Sequence, residues 1–365
     1  MISPTPDLSG AARPLSTLEP RAAASPLISP LTTRLLVALT SEEASRFFPE
    51  GIDTNRFGRK IEWHFMPEDL CGEAWREYFC ELRPHVILGG WKMPFIPSDI
   101  IESCPDFRYL CYVTGSVRKR IDRSFVERGG VISNWGDAIA PSVAECGLML
   151  TLMGLRQATR YALEMHIERS WPRLGTPRPL GLFRRTVGIH GFGSVARALL
   201  PLLRPFDVAI EAYSAPVPAP VFAKHGVRQA GSLEALYREN DVVILAEALT
   251  PATAQSVTRE ILLGMKPGSV FVNVARGAIV AEEALLALVE RGDVQVGLDV
   301  FAVEPLPADS PLRCRPNVSL LPHTAGPTID WYPYCGQRAL NNLELWLNGQ
   351  TPGDVVTLER YDLST

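Results

Sequence analysis

No apolar run in this 365-residue chain approaches the ~18 residues needed to span a bilayer. The longest, Cys146 to Leu155, stops at Arg156, so no membrane span is expected. The chain also lacks a Cys-x-x-Cys pair or a Cys/His cluster. Its seven cysteines, at 71, 80, 104, 111, 146, 314 and 335, are odd in number and scattered, so neither a zinc or other metal site nor a disulfide framework is expected. Thiols in such apolar surroundings fit a reducing cytoplasm. A basic stripe is missing too. The balance of 36 Lys+Arg against 40 Asp+Glu leaves −4, well dispersed, which argues against a nucleic-acid partner. What remains is a composition 46% hydrophobic and 21% charged, the profile of a soluble globular protein long enough for two domains.

Six of the 31 prolines fall between Pro4 and Pro30, among Ser, Ala and Thr. Such a stretch cannot bury enough surface to offset its ordering entropy, so residues 1–32 read as a disordered Pro-rich arm. It has no basic start followed by an apolar segment, and Asp7 and Glu19 argue against a transit peptide. Short apolar runs then suggest buried strands at Arg34–Leu39, His85–Gly90 and Arg108–Val113, with helical patterns between them. Alternation of this kind marks a parallel α/β sheet. Pro141 and Ser142 open a long apolar helix expected to run to about Ile167. A second strand series follows at Thr186–His190, Val208–Tyr213, Asp241–Leu245, Ser269–Val274, Val294–Leu298 and Val318–Leu321. The fold class expected is therefore α/β, with two doubly wound parallel sheets. The last helical segment, Gly336 to Leu347, comes after the second sheet is complete and could return to the first, making the second domain an insertion.

Local chemistry is concentrated in the second half. Gly191-Phe-Gly193-Ser-Val-Ala196 is a G-x-G-x-x-A turn directly after one strand and before a helix. Gly191 permits the tight turn, Gly193 lets a pyrophosphate approach backbone N–H groups, and Ala196 keeps helix and sheet close. The acid expected about 20 residues later, at the end of the next strand, is absent: Ser214 stands there. Glu211 is nearby, but strand alternation turns it to the opposite face. Three polar groups then follow strand ends in order: Arg276 after Asn273, Glu304 after Leu298-Asp299, and His323 after Leu321-Pro322. In an open α/β sheet ligands sit beyond the carboxyl ends of strands. Arg offers a planar fork for a carboxylate, His can carry a proton, and a nearby Glu would stabilise the charged imidazole. Singly, these read as a surface Arg, a turn Glu and a core His. Together, behind a dinucleotide turn, they suit reduction of a 2-keto acid.

These motifs, with Thr114-Gly-Ser-Val, Ser142-Val-Ala-Glu145, Leu249-Thr-Pro-Ala-Thr253, Met265-Lys-Pro-Gly268 and Pro322-His-x-Ala-Gly326, resemble the D-isomer-specific 2-hydroxyacid dehydrogenase family over about residues 34–350. The resemblance implies a Rossmann nucleotide-binding domain over residues 139–326, inserted into a flavodoxin-like substrate domain over 33–138 and 327–365, and a homodimer. It implies that Arg276 clamps the substrate carboxylate and keto oxygen, that His323 is the acid/base and that Glu304 orients it. It further implies that Thr114, Gly115 and Ser116 hold the carboxylate. The cofactor contacts implied are Gly191, Phe192, Gly193, Ser194, Val195, Ser214, Ala248, Leu249, Thr253, Val274, Ala275, Arg276, Asp299 and His323, with Asp299 facing the nicotinamide carboxamide. Departures from the family pattern are Ser214 for the usual Asp, Ala196 for Gly, and Ala248 where Pro is common.

The function expected is hydride transfer between NAD or NADP and C2 of a small 2-keto or D-2-hydroxy acid. Ser214 repels neither cofactor and residues 215–223 hold no Arg or Lys, so use of both is expected, with NAD slightly favoured. A nucleotide-sensing corepressor on the same fold, and formate or phosphonate oxidation on the same scaffold, are the rival readings.

Overall fold

The computed structural model describes residues 32–57, 61–171 and 178–363. The expected Pro-rich arm lies outside them up to residue 31. Strands β1 (Thr33–Ala38), β2 (Ile61–Phe65), β3 (Val86–Gly89), β4 (Tyr109–Tyr112) and β5 (Val131–Ser133) form a first sheet, ordered β2-β1-β3-β4-β5 and parallel throughout. This is the flavodoxin-like order. The central strands β3 and β4 are buried at every residue, which is why they read as continuous apolar runs.

Strands β6 (Thr186–His190), β7 (Ala209–Tyr213), β8 (Arg228–Gln229), β9 (Val242–Leu245), β10 (Val270–Asn273), β11 (Gln295–Leu298) and β12 (Val318–Leu320) form a second parallel sheet, ordered β12-β11-β10-β9-β6-β7-β8. That is the Rossmann order with one strand added at its far edge. One apolar layer packs Leu150, Leu199, Ile189, Ile244 and Val272 together; the other packs Leu236, Val243, Phe271, Leu288 and Leu298.

After β12 the chain returns to the first sheet. The helix Tyr332–Leu347 lays Ala339, Leu340 and Leu343 on the layer formed by Leu35, Val37, Leu88 and Tyr109. Trp346 stacks on Tyr109 with ring centroids 5.2 Å apart, and the Cys111 thiol donates to the Ala339 carbonyl at 3.2 Å. Val355 also bridges Ser133 in antiparallel fashion. The second α/β unit is thus an insertion in the first.

The single helix expected from Pro141 to about Ile167 is divided. A helix spans Ala140–Arg156, Gln157 turns left-handed at φ 54°, and a shorter helix Ala158–Ala162 continues into a π-helical turn over Leu163–Ile167.

Candidate active site

The glycine-rich turn joins β6 to the helix Ser194–Leu203. Gly191 sits at φ +104°, and a Cβ there would lie 2.6 Å from the Ala246 carbonyl oxygen, so only glycine lets this turn pass beneath the chain leaving β9. Gly193 precedes the helix, and a Cβ on it would meet nothing within 4 Å. No side chain caps this helix, so its first N–H groups have no cap partner, and the place of a Gly193 side chain is empty. Such a cradle fits the pyrophosphate of a dinucleotide. Phe192 does not enter it: its ring is 1% exposed and packs on Phe222 with centroids 4.6 Å apart. Ala196 is fully buried, as close helix–sheet packing requires. Beyond β9, Thr253 folds its loop by donating to the Ala248 carbonyl at 2.7 Å and accepting the Thr250 N–H at 2.7 Å.

Arg276 stands just past β10. The Asn273 side chain holds that turn, donating to the Arg276 carbonyl at 3.2 Å and accepting from the Ala275 N–H at 3.0 Å. Gly277 lets it close on the next strand's exit: a Cβ there would lie 1.9 Å from the Phe301 carbonyl carbon. The half-buried guanidinium donates to the Ala275 carbonyl at 2.8 Å. Burial lowers its pKa from the usual value while nearby Glu304 favours its charge. A guanidinium at this place offers a planar fork that suits a carboxylate.

His323 lies past β12 at φ 54°, a backbone region that a non-glycine residue occupies only under constraint. The constraint is Asp299. Its carbonyl accepts the His323 N–H at 2.9 Å, and its carboxylate accepts the Thr324 N–H at 2.7 Å and the Ala325 N–H at 3.0 Å. Asp299 is 1% exposed, and burial raises its pKa against the pull of those two N–H groups. The His323 Nδ1 meets Glu304 Oε2 at 2.7 Å, and the other Glu304 oxygen accepts the Phe301 N–H at 2.9 Å. Side chains of the pair keep 44% and 35% exposure, so a ligand can reach them.

On the first sheet, β4 leads into Thr114-Gly115-Ser116. The Thr114 carbonyl accepts the Trp135 N–H at 3.1 Å, and the Gly115 carbonyl accepts from the Asn134 side chain at 2.7 Å, which anchors this loop. Trp91 and Tyr332 pack against Phe47 and each other, with centroids 5.1 to 6.1 Å apart, and serve the core of this domain.

Two parallel sheets, a glycine turn before an uncapped helix and an Arg–Glu–His set thus meet at the strand ends. The family model described as D-isomer specific 2-hydroxyacid dehydrogenase, NAD binding domain, matches residues 148–325. A glyoxylate/hydroxypyruvate reductase B of Pectobacterium carotovorum is 30% identical over 275 residues, covering 72% of this chain and 82% of its own. The chain belongs to the D-isomer-specific 2-hydroxyacid dehydrogenase family. A D-3-phosphoglycerate dehydrogenase of Methanocaldococcus jannaschii is 27% identical over 274 residues; the match covers 75% of this family member but only 51% of that longer protein. Among solved structures, a glyoxylate reductase from Paecilomyes thermophila superposes with a TM-score of 0.71 at 25% identity, over 90% of this chain and 99% of that one. These similarities support an NAD(P)-dependent 2-hydroxyacid dehydrogenase or reductase.

For Glu211 and Ser214, both noted in the sequence of this family member, the partners were not legible there. Glu211, on β7, is buried, pairing with Asn240 at 3.2 Å and Arg228 at 3.1 Å. Ser214, 3% exposed, donates its hydroxyl to Glu247 Oε2 at 2.6 Å. Glu247 stands two residues beyond β9, and its only signal in the sequence is an acid directly before the Ala248-Leu249-Thr250 segment.

Proposed function

We propose that this protein reduces a small 2-keto acid to its D-2-hydroxy acid, with Arg276, Glu304 and His323 as the working residues. The observation that carries this reading is the 2.7 Å pair between His323 Nδ1 and Glu304 at the end of the same sheet that presents Arg276. A bound nicotinamide would supply the hydride. Gly191, Gly193 and the uncapped helix start would hold the cofactor's pyrophosphate, with Ser194, Val195, Leu249, Thr253, Val274 and Ala275 around it. Arg276 would hold the substrate carboxylate and draw charge from the keto oxygen, which gains it as the carbonyl is reduced. Glu304 occupies Nδ1 and fixes the ring, so Nε2 is the nitrogen left to deliver a proton to that oxygen. Backbone N–H groups of Thr114 to Ser116 would close on the carboxylate from the other domain.

The test is NADH and NADPH oxidation with 2-keto acids from glyoxylate to phenylpyruvate, with chiral analysis of the product. Saturable turnover giving the D isomer is expected; absence of turnover across the series would overturn the reading. We also propose a homodimer and a cytoplasmic location. Met165, Ile167, Trp171 and Phe183 are exposed by 47%, 74%, 83% and 67%, more apolar surface than this segment would keep in water unpaired, and light scattering of the purified chain tests it. All seven cysteines stand free, which supports a reducing compartment.

A further inference from the structure

The acid that normally holds the adenosine ribose at the end of β7 is replaced by Ser214, yet the structure does not leave that place without a carboxylate. In the sheet, β6 lies between β7 and β9. Glu247 leaves the end of β9 directly over the glycine turn: a Cβ on Gly191 would be 2.7 Å from the Glu247 Cα. From there its side chain reaches across the end of β6 to the end of β7, where Oε2 accepts the Ser214 hydroxyl at 2.6 Å. Oε1 accepts the Ala248 N–H at 3.0 Å, so both oxygens are held in place. Ser214 is buried and Glu247 is half-buried. The carboxylate therefore sits beside the dinucleotide turn, carried from just past β9 rather than by β7 itself.

This arrangement changes what Ser214 can do. Its one hydroxyl proton is given to Glu247, so it has none to offer a phosphate. Each carboxylate oxygen has a further lone pair, and a ribose 2′,3′-diol carries two O–H donors to meet them. A 2′-phosphate brings negative charge and acceptor oxygens instead. Residues 215–223 contain no Arg or Lys to offset that repulsion. We propose that Glu247, anchored by Ser214 across the end of β6, is the residue that selects NAD(H) over NADP(H). The proposal rests on the dinucleotide reading above.

Direct binding tests it: the purified full-length chain, with Glu247→Gln and Ser214→Ala variants, is titrated with NADH and with NADPH by isothermal calorimetry. Wild type should bind NADH at least about thirtyfold more tightly than NADPH. Glu247→Gln should bring the ratio to about threefold or less, with NADPH gaining and NADH losing affinity. Ser214→Ala, which frees the carboxylate without removing it, should give an intermediate ratio of about tenfold. Glu247→Gln changes one oxygen on a half-buried side chain, and an unshifted melting temperature will show that it folds; if it does not, the wild-type ratio and Ser214→Ala decide the matter. NADH binding with a wild-type ratio below about threefold, or a ratio unmoved by Glu247→Gln, overturns the proposal and leaves the dinucleotide reading standing. No binding of either dinucleotide by wild type overturns both.

Discussion

Asp299→Asn separates a residue that holds the catalytic loop from one that merely fills space. In the wild type the Asp299 carboxylate accepts the Thr324 and Ala325 N–H groups at 2.7 and 3.0 Å, directly after His323. Each bond of a charged acceptor contributes about 1.5–3 kcal/mol. Asn retains one acceptor oxygen and turns an NH2 group on the other N–H, so one bond is lost. Part of that loss is recovered, because burial opposes the Asp299 charge, as its raised pKa records, and an amide carries none. The expected net destabilisation is about 1–2 kcal/mol, or roughly 3–6 °C in melting temperature for a domain of this size. Activity should suffer far more. His323 sits at φ 54° only because the following turn is pinned, and a displacement of about 1 Å at a reacting group costs on the order of a hundredfold in rate. Thermal unfolding and turnover on the best keto acid, measured together, decide it. Turnover within about twofold of wild type would refute the argument that Asp299 positions His323.

Further outcomes follow from the same contacts. Arg276→Ala should lower kcat/KM for the keto acid by about a hundredfold or more, with the NADH dissociation constant within about threefold of wild type, as calorimetry and steady-state kinetics will show. Glu304→Gln should lower kcat about tenfold or more yet leave the melting temperature unchanged, because its pair with His323 is solvent-accessible. His190 is 3% exposed and burial pushes its pKa down to about 4. It stays neutral in the native state where the unfolded imidazole, near 6.5, takes a proton, so stability should fall between about pH 6.5 and 4 by about 3 kcal/mol in all. His190→Gln should flatten that limb of a urea-unfolding series against pH.

The parts of this fold that were legible in the sequence are those whose signal is local. Strands β3, β4 and β9 are buried at every residue and appear as unbroken apolar runs, and the order of turn, Arg, Glu and His is written along one chain direction. Strands β2, β5 and β8 did not appear. All three are at sheet edges: Glu62 and His64 in β2 and Arg228 and Gln229 in β8 hide the strand pattern, and β5 is only three residues long. Gln157 is a good helix former, and nothing local announces that it turns left-handed and divides the long helix. Glu247 is the more instructive case. Its partner Ser214 is 33 residues away on a non-adjacent strand, and the pair exists only because β6 inserts between β7 and β9. Spacing along the chain marks an absent acid at Ser214; sheet order supplies the replacement.

Whether His323 is the proton donor in reduction of a 2-keto acid by a bound nicotinamide is tested most directly on His323→Asn. NADH consumption is followed by absorbance with the best keto acid for wild type and variant, beside calorimetric binding of NADH to each. The rate expected in the variant is at least about a hundredfold lower, with NADH affinity within about threefold of wild type. A variant that reduces the keto acid at the wild-type rate would contradict the assignment of His323.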